Sequence, residues 1–551
     1  MMGSRLTIGH LILIFALVAL PLAATYALYY PDERHYTDGA LRMLQQGHWL
    51  VPENADGTPR FQKPPLAYWA VATSWLVFGV NPLTARLPFL LASCGTILLT
   101  FQLAKKMTGN GQTALLAAII LAAHPQFLLC SIRDMPDALL TFFLTLSGFG
   151  FLRLILWEEL TAGAFWMAYG GATGAFWSKG MLGFFIILFA WAFVFFARFN
   201  RQDVVRIIYW PGLASVIIPA LGWIAYIVAT HGKAAWVVLF DDQVTDNLHG
   251  YVWSPVWRGP LFALILAVNF LPWSLPAVEL LIRKRKWPPG QLPPGAMKFI
   301  LGWTLFLIVS FSLGSNLSLR YLLPATPLMS VLLAAWLQTS ESSALIFSLL
   351  RILKAALGVL SLAAAVVFFI GWECRWPFAV LALIFGLFSA GIFLLWRGAT
   401  RQNFFSAGET LGLAIVFGWI MVTAGLIPLT LPDASSQIAA ALRQLPTGAA
   451  RPILLVGDAQ LASRLRVMLG KKWFIAQANK LTPAMTLNYT RFVLRAPDAR
   501  AAAARGWQVQ HIASYVTQPP PFRESFQALK TRSLRTVFAR YGDQIYLNFR
   551  E

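Results

Sequence analysis

The sequence predicts an α-helical polytopic membrane protein with a C-terminal α/β soluble domain, and three observations predict it. Of 551 residues, 58% are hydrophobic and only 12% charged, whereas soluble domains carry about 25% charge. The apolar residues gather in blocks close to the ~20 residues that cross a hydrocarbon core as helix. Membrane-spanning strands would instead alternate apolar and polar positions over about ten residues, and no such alternation dominates. From Leu431 onward the blocks give way to short strand-like and helix-like segments.

Apolar blocks cover 6–30, 66–80, 86–104, 112–130, 137–156, 162–177, 181–198, 205–230, 259–282, 297–313, 321–338, 347–370, 377–396 and 408–430. The first has no clean cleavage site and many others follow it, so it reads as a transmembrane helix rather than a signal peptide. Basic clusters then set the topology, because Lys and Arg favour cytoplasmic loops. They lie at Lys105 and Lys106; at Arg198, Arg201 and Arg206; at Arg283–Lys286; at Arg351 and Lys354; and at Arg397 and Arg401. If all are cytoplasmic, an even number of crossings separates each from the next, and the blocks from 86–104 onward obey that rule. Between Tyr30 and Arg86 the chain must then stay on one side. Segment 66–80 is short, follows Pro64-Pro65 and carries Tyr68, Trp69 and Trp75, which suits an interfacial helix on the outer surface. About thirteen spans remain. The organisation expected is a transmembrane domain over 1–430, with an outer-face helical loop 31–85, and a periplasmic α/β domain over 431–551. The N-terminus is cytoplasmic and the membrane is the bacterial inner membrane.

Within 431–551, Pro452–Val456 and Arg491–Leu494 read as strands, Ala459–Leu469 as a helix and Val537–Phe549 as a hairpin. This stretch holds 17 Lys and Arg against 6 Asp and Glu, about half of the net charge of +21. A long translocated domain escapes the positive-inside rule; attraction to anionic membrane lipid and a solvated basic surface are both open. Nucleic acid is not an expected partner. Cys94, Cys130 and Cys374 are too few and too scattered for a disulfide framework or a metal cluster.

Unusual polar groups collect on the outer side. The first loop runs Pro31-Asp32-Glu33-Arg34-His35-Tyr36 and continues to Arg60-Phe61-Gln62-Lys63-Pro64-Pro65. Later turns carry Arg133-Asp134-Met135-Pro136-Asp137, Trp177-Ser178-Lys179-Gly180, Asp241, Asp242, Asp246 and His249, then Ser315-Asn316 and Arg320-Tyr321-Leu322-Leu323-Pro324. Ionisable residues at a membrane rim are costly and tend to be functional. Any one alone could be a structural ion pair; Asp137 could simply cap the span it opens, and His249 could be a plain rim residue. Together, carboxylates beside Lys and Arg suit group transfer from a phosphate-bearing lipid, with cations on the anionic leaving group. Transporters place their polar groups near the bilayer midplane, which is almost purely apolar here, so a lipid-linked-sugar transporter or flippase is the lesser alternative. No P-loop, G-x-S-x-G or H-E-x-x-H motif is present.

These residues resemble a family. Pro31-Asp32-Glu33, the amphipathic segment ending Gly47-His48-Trp49, Phe61-Gln62-Lys63-Pro64, Asp134, Lys179-Gly180 and Tyr321-Leu322-Leu323-Pro324 are similar, in order and in sidedness, to the lipid-linked-sugar glycosyltransferases of the GT-C fold. The likeness is closest to the bacterial 4-amino-4-deoxy-L-arabinose (lipid A) transferases, and extends to the protein O-mannosyltransferases. It implies inverting transfer of a sugar from undecaprenyl or another polyprenyl phosphate to lipid A or another envelope acceptor, protein or glycolipid. No compact His/Asp/Glu set is apparent in the sequence, so no obligatory metal or cofactor is expected, with a divalent metal left open. The resemblance implies Asp32 and Asp134 as catalytic acidic residues, Asp134 facing the cavity. Lys63, with Arg60 and Arg320, would hold the donor phosphate, and Tyr321, Glu33, Lys179, Asp137 and His249 would line the substrate site. Two positions depart: the aminoarabinose transferases tend to have Glu where Gln62 stands, and a Lys-x-Pro-x-Tyr where this chain has Ser318-Leu319-Arg320-Tyr321.

Overall fold

The computed structural model describes residues 7–24, 30–198, 201–238, 254–271, 295–314, 318–339, 435–444, 452–470, 475–480, 491–516 and 542–549, with a few isolated positions between them. The last three apolar blocks, Cys374, His249 and the acidic residues of loop 231–258 lie outside these.

Among the described residues up to 339 the chain is built of helices, and the apolar blocks described there fall on them. In chain order they are α1 (Ile8–Ala23), α2 (Glu33–Gln46), α3 (Leu66–Phe78), α4 (Pro82–Thr108), α5 (Gly111–Ala122), α6 (Pro125–Ser131), α7 (Pro136–Leu156), α8 (Ala162–Lys179), α9 (Leu182–Arg198), α10 (Arg201–Ile207), α11 (Trp210–Trp236), α12 (Ser254–Asn269) and α13 (Ala296–Ser312). A 3-10 segment, Leu319–Ala325, then runs into α14 (Thr326–Thr339). Among the described residues, four are long and apolar enough to cross a membrane: α4, α7, α11 and the continuous stretch Leu319–Leu337. A fifth candidate is the pair α5 and α6, bent by 69°.

That bend is a departure from the sequence expectation of one straight span over 112–130. Pro125 opens α6, and a residue before proline is driven out of the helical region. His124 is accordingly extended, and its ring nitrogen accepts the Phe127 N–H at 3.3 Å as a cap. Segment 66–80 forms α3, whose 13 residues reach only about 20 Å at 1.5 Å per residue, short of a ~30 Å hydrocarbon core.

Small residues let α7 and α8 pack backbone to backbone, as membrane helices do. A Cβ on Gly171 would stand 2.6 Å from the Ser147 nitrogen, and Ser147 Oγ donates to the Ala168 carbonyl at 2.7 Å. The buried core continues from this pair through α9, α13 and α14.

The C-terminal part is the expected α/β unit. Helix α15 (Ser435–Arg443), β1 (Ile453–Val456), α16 (Ala459–Leu469), β2 (Ile475–Ala478), β3 (Arg491–Arg495), α17 (Ala496–Ala503), β4 (Gln508–Val516) and β5 (Gly542–Phe549) form one five-stranded sheet of order β2-β1-β3-β5-β4. β2, β1 and β3 are parallel, and β5 runs antiparallel between β3 and β4. The described part of 537–549 is thus a central strand, paired with β3 and β4 rather than folded back as a hairpin of its own. Its apolar Ile545 faces the core, which a solvent-side hairpin would not require.

This unit docks on the first loop. α16 lies along α2: Thr37 Oγ1 and Ser463 Oγ share a hydrogen bond of 3.2 Å, and Arg466 Nη1 donates to Asp38 Oδ2 at 2.8 Å. Val467 joins Tyr36, Ala40, Tyr68 and Val71 in one apolar cluster. The C-terminal unit therefore sits on the same side of the helical body as the first loop.

Candidate active site

Five separated stretches of chain converge beside the start of α2. Asp32 immediately precedes that helix, and Lys63 lies in the Pro-rich turn that leads into α3. Asp137 is the second residue of α7, Lys179 the last of α8, and Arg320 the second of the 3-10 segment. Local sequence explains each exposure to the site. Gly180, at φ +84°, turns the chain sharply as soon as Lys179 has been presented. Pro136 opens α7 and fixes the entry angle of Asp137.

Arg320 is the hub. Its Nη2 donates to Asp32 Oδ2 at 2.8 Å, and its Nε lies 3.9 Å from Asp137 Oδ2. Its guanidinium also covers the Tyr30 ring at 4.7 Å, an arrangement favourable for a cation over an aromatic face. On the other side of Asp137, Lys179 Nζ bonds Oδ1 at 2.5 Å and stands 5.1 Å from the centre of the Tyr321 ring. Tyr321 in turn stacks on Phe311. Lys63 is half-buried in the field of Lys179, Asp137, Arg60 and Arg320; loss of solvent first, then Lys179, lowers its pKa from 10.5 to about 8. Arg60 donates from Nε to the Tyr68 hydroxyl at 3.1 Å. Asp32 alone of the two carboxylates is open, with 45% of its side chain exposed against 3% for Asp137. Four cations therefore surround two carboxylates, leaving positive charge for an anionic ligand, with one carboxylate accessible to a reactant.

Asp137 does not cap α7: Met135 occupies the cap position and no capping side-chain bond forms. The carboxylate is engaged by Lys179 instead.

Glu33 and Asp134, expected at the substrate site and facing the cavity, are not brought to the Arg320 cluster. Both are buried, at 0% and 1% exposure, around Arg86, which the sequence presents only as the start of a span. Arg86, itself buried, donates from Nε to Glu33 Oε2 at 2.8 Å and from Nη1 to the Ala23 carbonyl at 3.2 Å, with Asp134 Oδ1 at 3.8 Å. The Asp134 N–H and the Tyr30 N–H also point at Glu33. Burial, and then the Glu33 charge, raise the Asp134 carboxyl well above its usual range. Burial opposes ionisation of Glu33 as well, but Arg86, Asp134 and the Tyr30 amide outweigh it and hold its pKa low. One guanidinium thus ties the end of α1, the first turn of α2 and the turn before α7 into a single knot beneath Asp32. The signal that could have found it was a lone arginine near one end of an apolar span, where an unpaired charge is not tolerated.

Comparison with known proteins fits this architecture. The family described as dolichyl-phosphate-mannose-protein mannosyltransferase matches residues 62–226. The crystal structure of ArnT from Cupriavidus metallidurans bound to undecaprenyl phosphate superposes with a TM-score of 0.68, over 98% of this chain and 97% of that one, at 15% identity. The chain has the GT-C fold. The apo form of the same protein agrees, with a TM-score of 0.67. Among curated relatives, an uncharacterised protein of Aquifex aeolicus is 29% identical over 59% of this chain and 64% of its own length. An undecaprenyl phosphate-alpha-4-amino-4-deoxy-L-arabinose arabinosyl transferase of Pseudomonas paraeruginosa is 27% identical over 78% of this chain and 77% of its own. The like-named protein of Pseudomonas aeruginosa aligns over 58% of its length. The GT-C body with a C-terminal α/β unit makes this chain a multi-pass membrane protein.

Proposed function

We propose that this GT-C protein is a glycosyltransferase that moves a sugar, 4-amino-4-deoxy-L-arabinose in the finest reading, from undecaprenyl or another polyprenyl phosphate to an envelope acceptor such as lipid A. The reaction is placed at the periplasmic face of the inner membrane, with the N-terminus in the cytoplasm and residues 431–551 in the periplasm. The observation that carries it is the cation cluster of Arg60, Lys63, Lys179 and Arg320 beside one open carboxylate, Asp32, at the head of α2. The name of the Pseudomonas paraeruginosa relative and the ligand of the Cupriavidus protein point to the same donor class.

The chemistry follows from the charges. An acceptor oxygen attacks the anomeric carbon, the bond from that carbon to the donor phosphate breaks, and its electron pair departs on the polyprenyl phosphate. Lys63 and Arg320 stabilise the charge that develops on that leaving group, where fixed cations lower the barrier most. Arg320 also pins Asp32 at 2.8 Å, so the carboxylate waits in one orientation. Toward a hydroxyl acceptor Asp32 takes the proton; toward a phosphate acceptor, already ionised, it orients the donor. The mannosyltransferase family match favours a hydroxyl acceptor on protein as the second reading.

The test is transfer by purified full-length protein in lipid nanodiscs, followed by mass spectrometry of lipid A. Wild type should yield sugar-modified product, and Asp32→Asn should yield none while still binding donor. Wild-type turnover by Asp32→Asn, or no donor consumption by wild type, overturns the assignment.

A further inference from the structure

Arg320 Nη2 and Asp32 Oδ2 meet at 2.8 Å, but one hydrogen bond does not fix a guanidinium at the end of a long side chain, which has much rotamer freedom to lose. The buried Asp137, 3.9 Å from Arg320 Nε, competes for the same cation. Two uncharged groups complete the surroundings of Arg320. Its Nη1 donates to Met135 Sδ at 3.4 Å, and its guanidinium lies over the Tyr30 ring, 4.7 Å from the ring centre. A third carboxylate in their place would hold Arg320 but cancel the charge that a donor phosphate needs. An aromatic face and a thioether restrict the guanidinium and leave its charge in place.

Tyr30 is itself held at both ends. Its backbone N–H donates to Glu33 Oε1 at 2.7 Å, while the other oxygen of that carboxylate accepts from the buried Arg86 at 2.8 Å. At the ring end a second guanidinium, that of Arg133, stands 5.0 Å from the ring centre. The next residue, Asp134, turns its own N–H toward Glu33. The ring therefore joins the knot around Arg86 and the turn before α7 to the 3-10 segment that presents Arg320.

We infer that Tyr30 is a positioning residue for the transfer: its ring sets Arg320, and Arg320 in turn sets the Asp32 carboxylate, with the cation's charge kept for the leaving phosphate. This role rests on the glycosyltransferase reading proposed above. The aromatic face carries the contact and the hydroxyl does not, so Tyr30→Phe keeps the device and Tyr30→Leu removes it.

Both variants are made in the full-length protein in nanodiscs and read out by consumption of a polyprenyl-phosphate sugar donor and by 15N spectra of arginine-labelled protein. Tyr30→Phe should keep kcat within about twofold of wild type, because the ring face remains. Tyr30→Leu should lower kcat about tenfold, the larger part of what a partly desolvated guanidinium–ring contact is worth. The donor KM should move less than about threefold, since Arg320 acts chiefly on charge that develops in the transition state. In an Arg320→Met background Tyr30→Leu should lower the residual turnover no further, since the ring then has nothing to hold; a residue needed only for folding would lower both backgrounds alike. In the spectra the Arg320 Nε–H signal, assigned by its loss in Arg320→Lys, should be protected from solvent exchange in wild type and Tyr30→Phe and broadened by exchange in Tyr30→Leu. Wild-type kcat in Tyr30→Leu, an equal loss in Tyr30→Phe, an equal loss in the Arg320→Met background, or an Arg320 signal unchanged by Tyr30→Leu overturns the inference. If wild type consumes no donor at all, the glycosyltransferase reading fails, and the Arg320 signal alone decides whether Tyr30 sets that side chain.

Discussion

Raising the pH from about 7 to 9 should weaken donor binding through Lys63. Desolvation and the neighbouring Lys179 bring its ammonium down to about 8, so it begins to lose its proton two units before an exposed lysine would. A bound phosphodiester opposes that loss and stays ionised across the whole range. If the donor returns the lysine to about its ordinary value of 10.5, each pH unit above 8 weakens binding by about tenfold. The sign is fixed: the donor-free protein loses a charge as pH rises, so affinity falls with pH and does not rise. Between pH 7 and pH 9 the donor Kd should therefore grow about tenfold. Lys63→Arg separates this from the other basic groups, because a guanidinium does not titrate in this range; its profile should be flat. Lys63→Met should be flat as well, but weaker by roughly ten- to a hundredfold, the worth of a charge-assisted hydrogen bond. Titrating a fluorescent polyprenyl-phosphate probe at each pH gives the three curves. A wild-type Kd that stays level to pH 9, or a Lys63→Arg profile that falls as steeply as wild type, refutes the reasoning.

Arg86→Met should destabilise the protein by about 3–5 kcal/mol, since it leaves the Glu33 carboxylate buried without its cation; adding Glu33→Gln should recover part of the loss in thermal unfolding, and no recovery would count against the pairing. Gly171→Leu should separate α7 from α8 and lower folded yield in detergent by size-exclusion chromatography, because its side chain would meet the Ser147 backbone; a normal elution profile would contradict that packing. In a background with the native cysteines replaced by alanine, Gln46→Cys, exposed at the end of α2, should react with an impermeant maleimide on whole spheroplasts. Lys105→Cys, exposed near the other end of α4, should react only after lysis; the reverse order would invert the proposed topology.

The helical body was legible because the membrane imposes it: an apolar run of the right length has few alternatives to a helix. The same constraint made Asp32, Lys63, Lys179 and Arg320 stand out, since charges at span ends must meet something, and the structure brings these four together. Sequence could not tell which way each side chain turns within one helical step. Asp32 and Glu33 are neighbours, yet one is open and the other fully buried, a difference set by where α2 enters the bundle. Arg86 stayed hidden because it looked like a boundary marker between a loop and a span. Its partners come from positions 53 and 48 residues away along the chain. The placing of β5 between β3 and β4 was equally non-local, because a short apolar strand carries no label for its neighbours.

Helix α2 is shared property. Asp32 at its N-terminal cap borders the proposed reaction site, and a few residues later Thr37 and Asp38 are the footing on which Ser463 and Arg466 stand. The C-terminal unit is therefore not a module that can be exchanged freely among relatives. A grafted unit lacking a cation at position 466 would bury Asp38 unpaired, and any tilt it imposed on α2 would be passed along the rod to Asp32. Chimeras between such proteins should work only when the pairs 37/463 and 38/466 travel together. Substitutions at these four positions are best sought as coupled sets, with two distant segments of chain inherited as one unit.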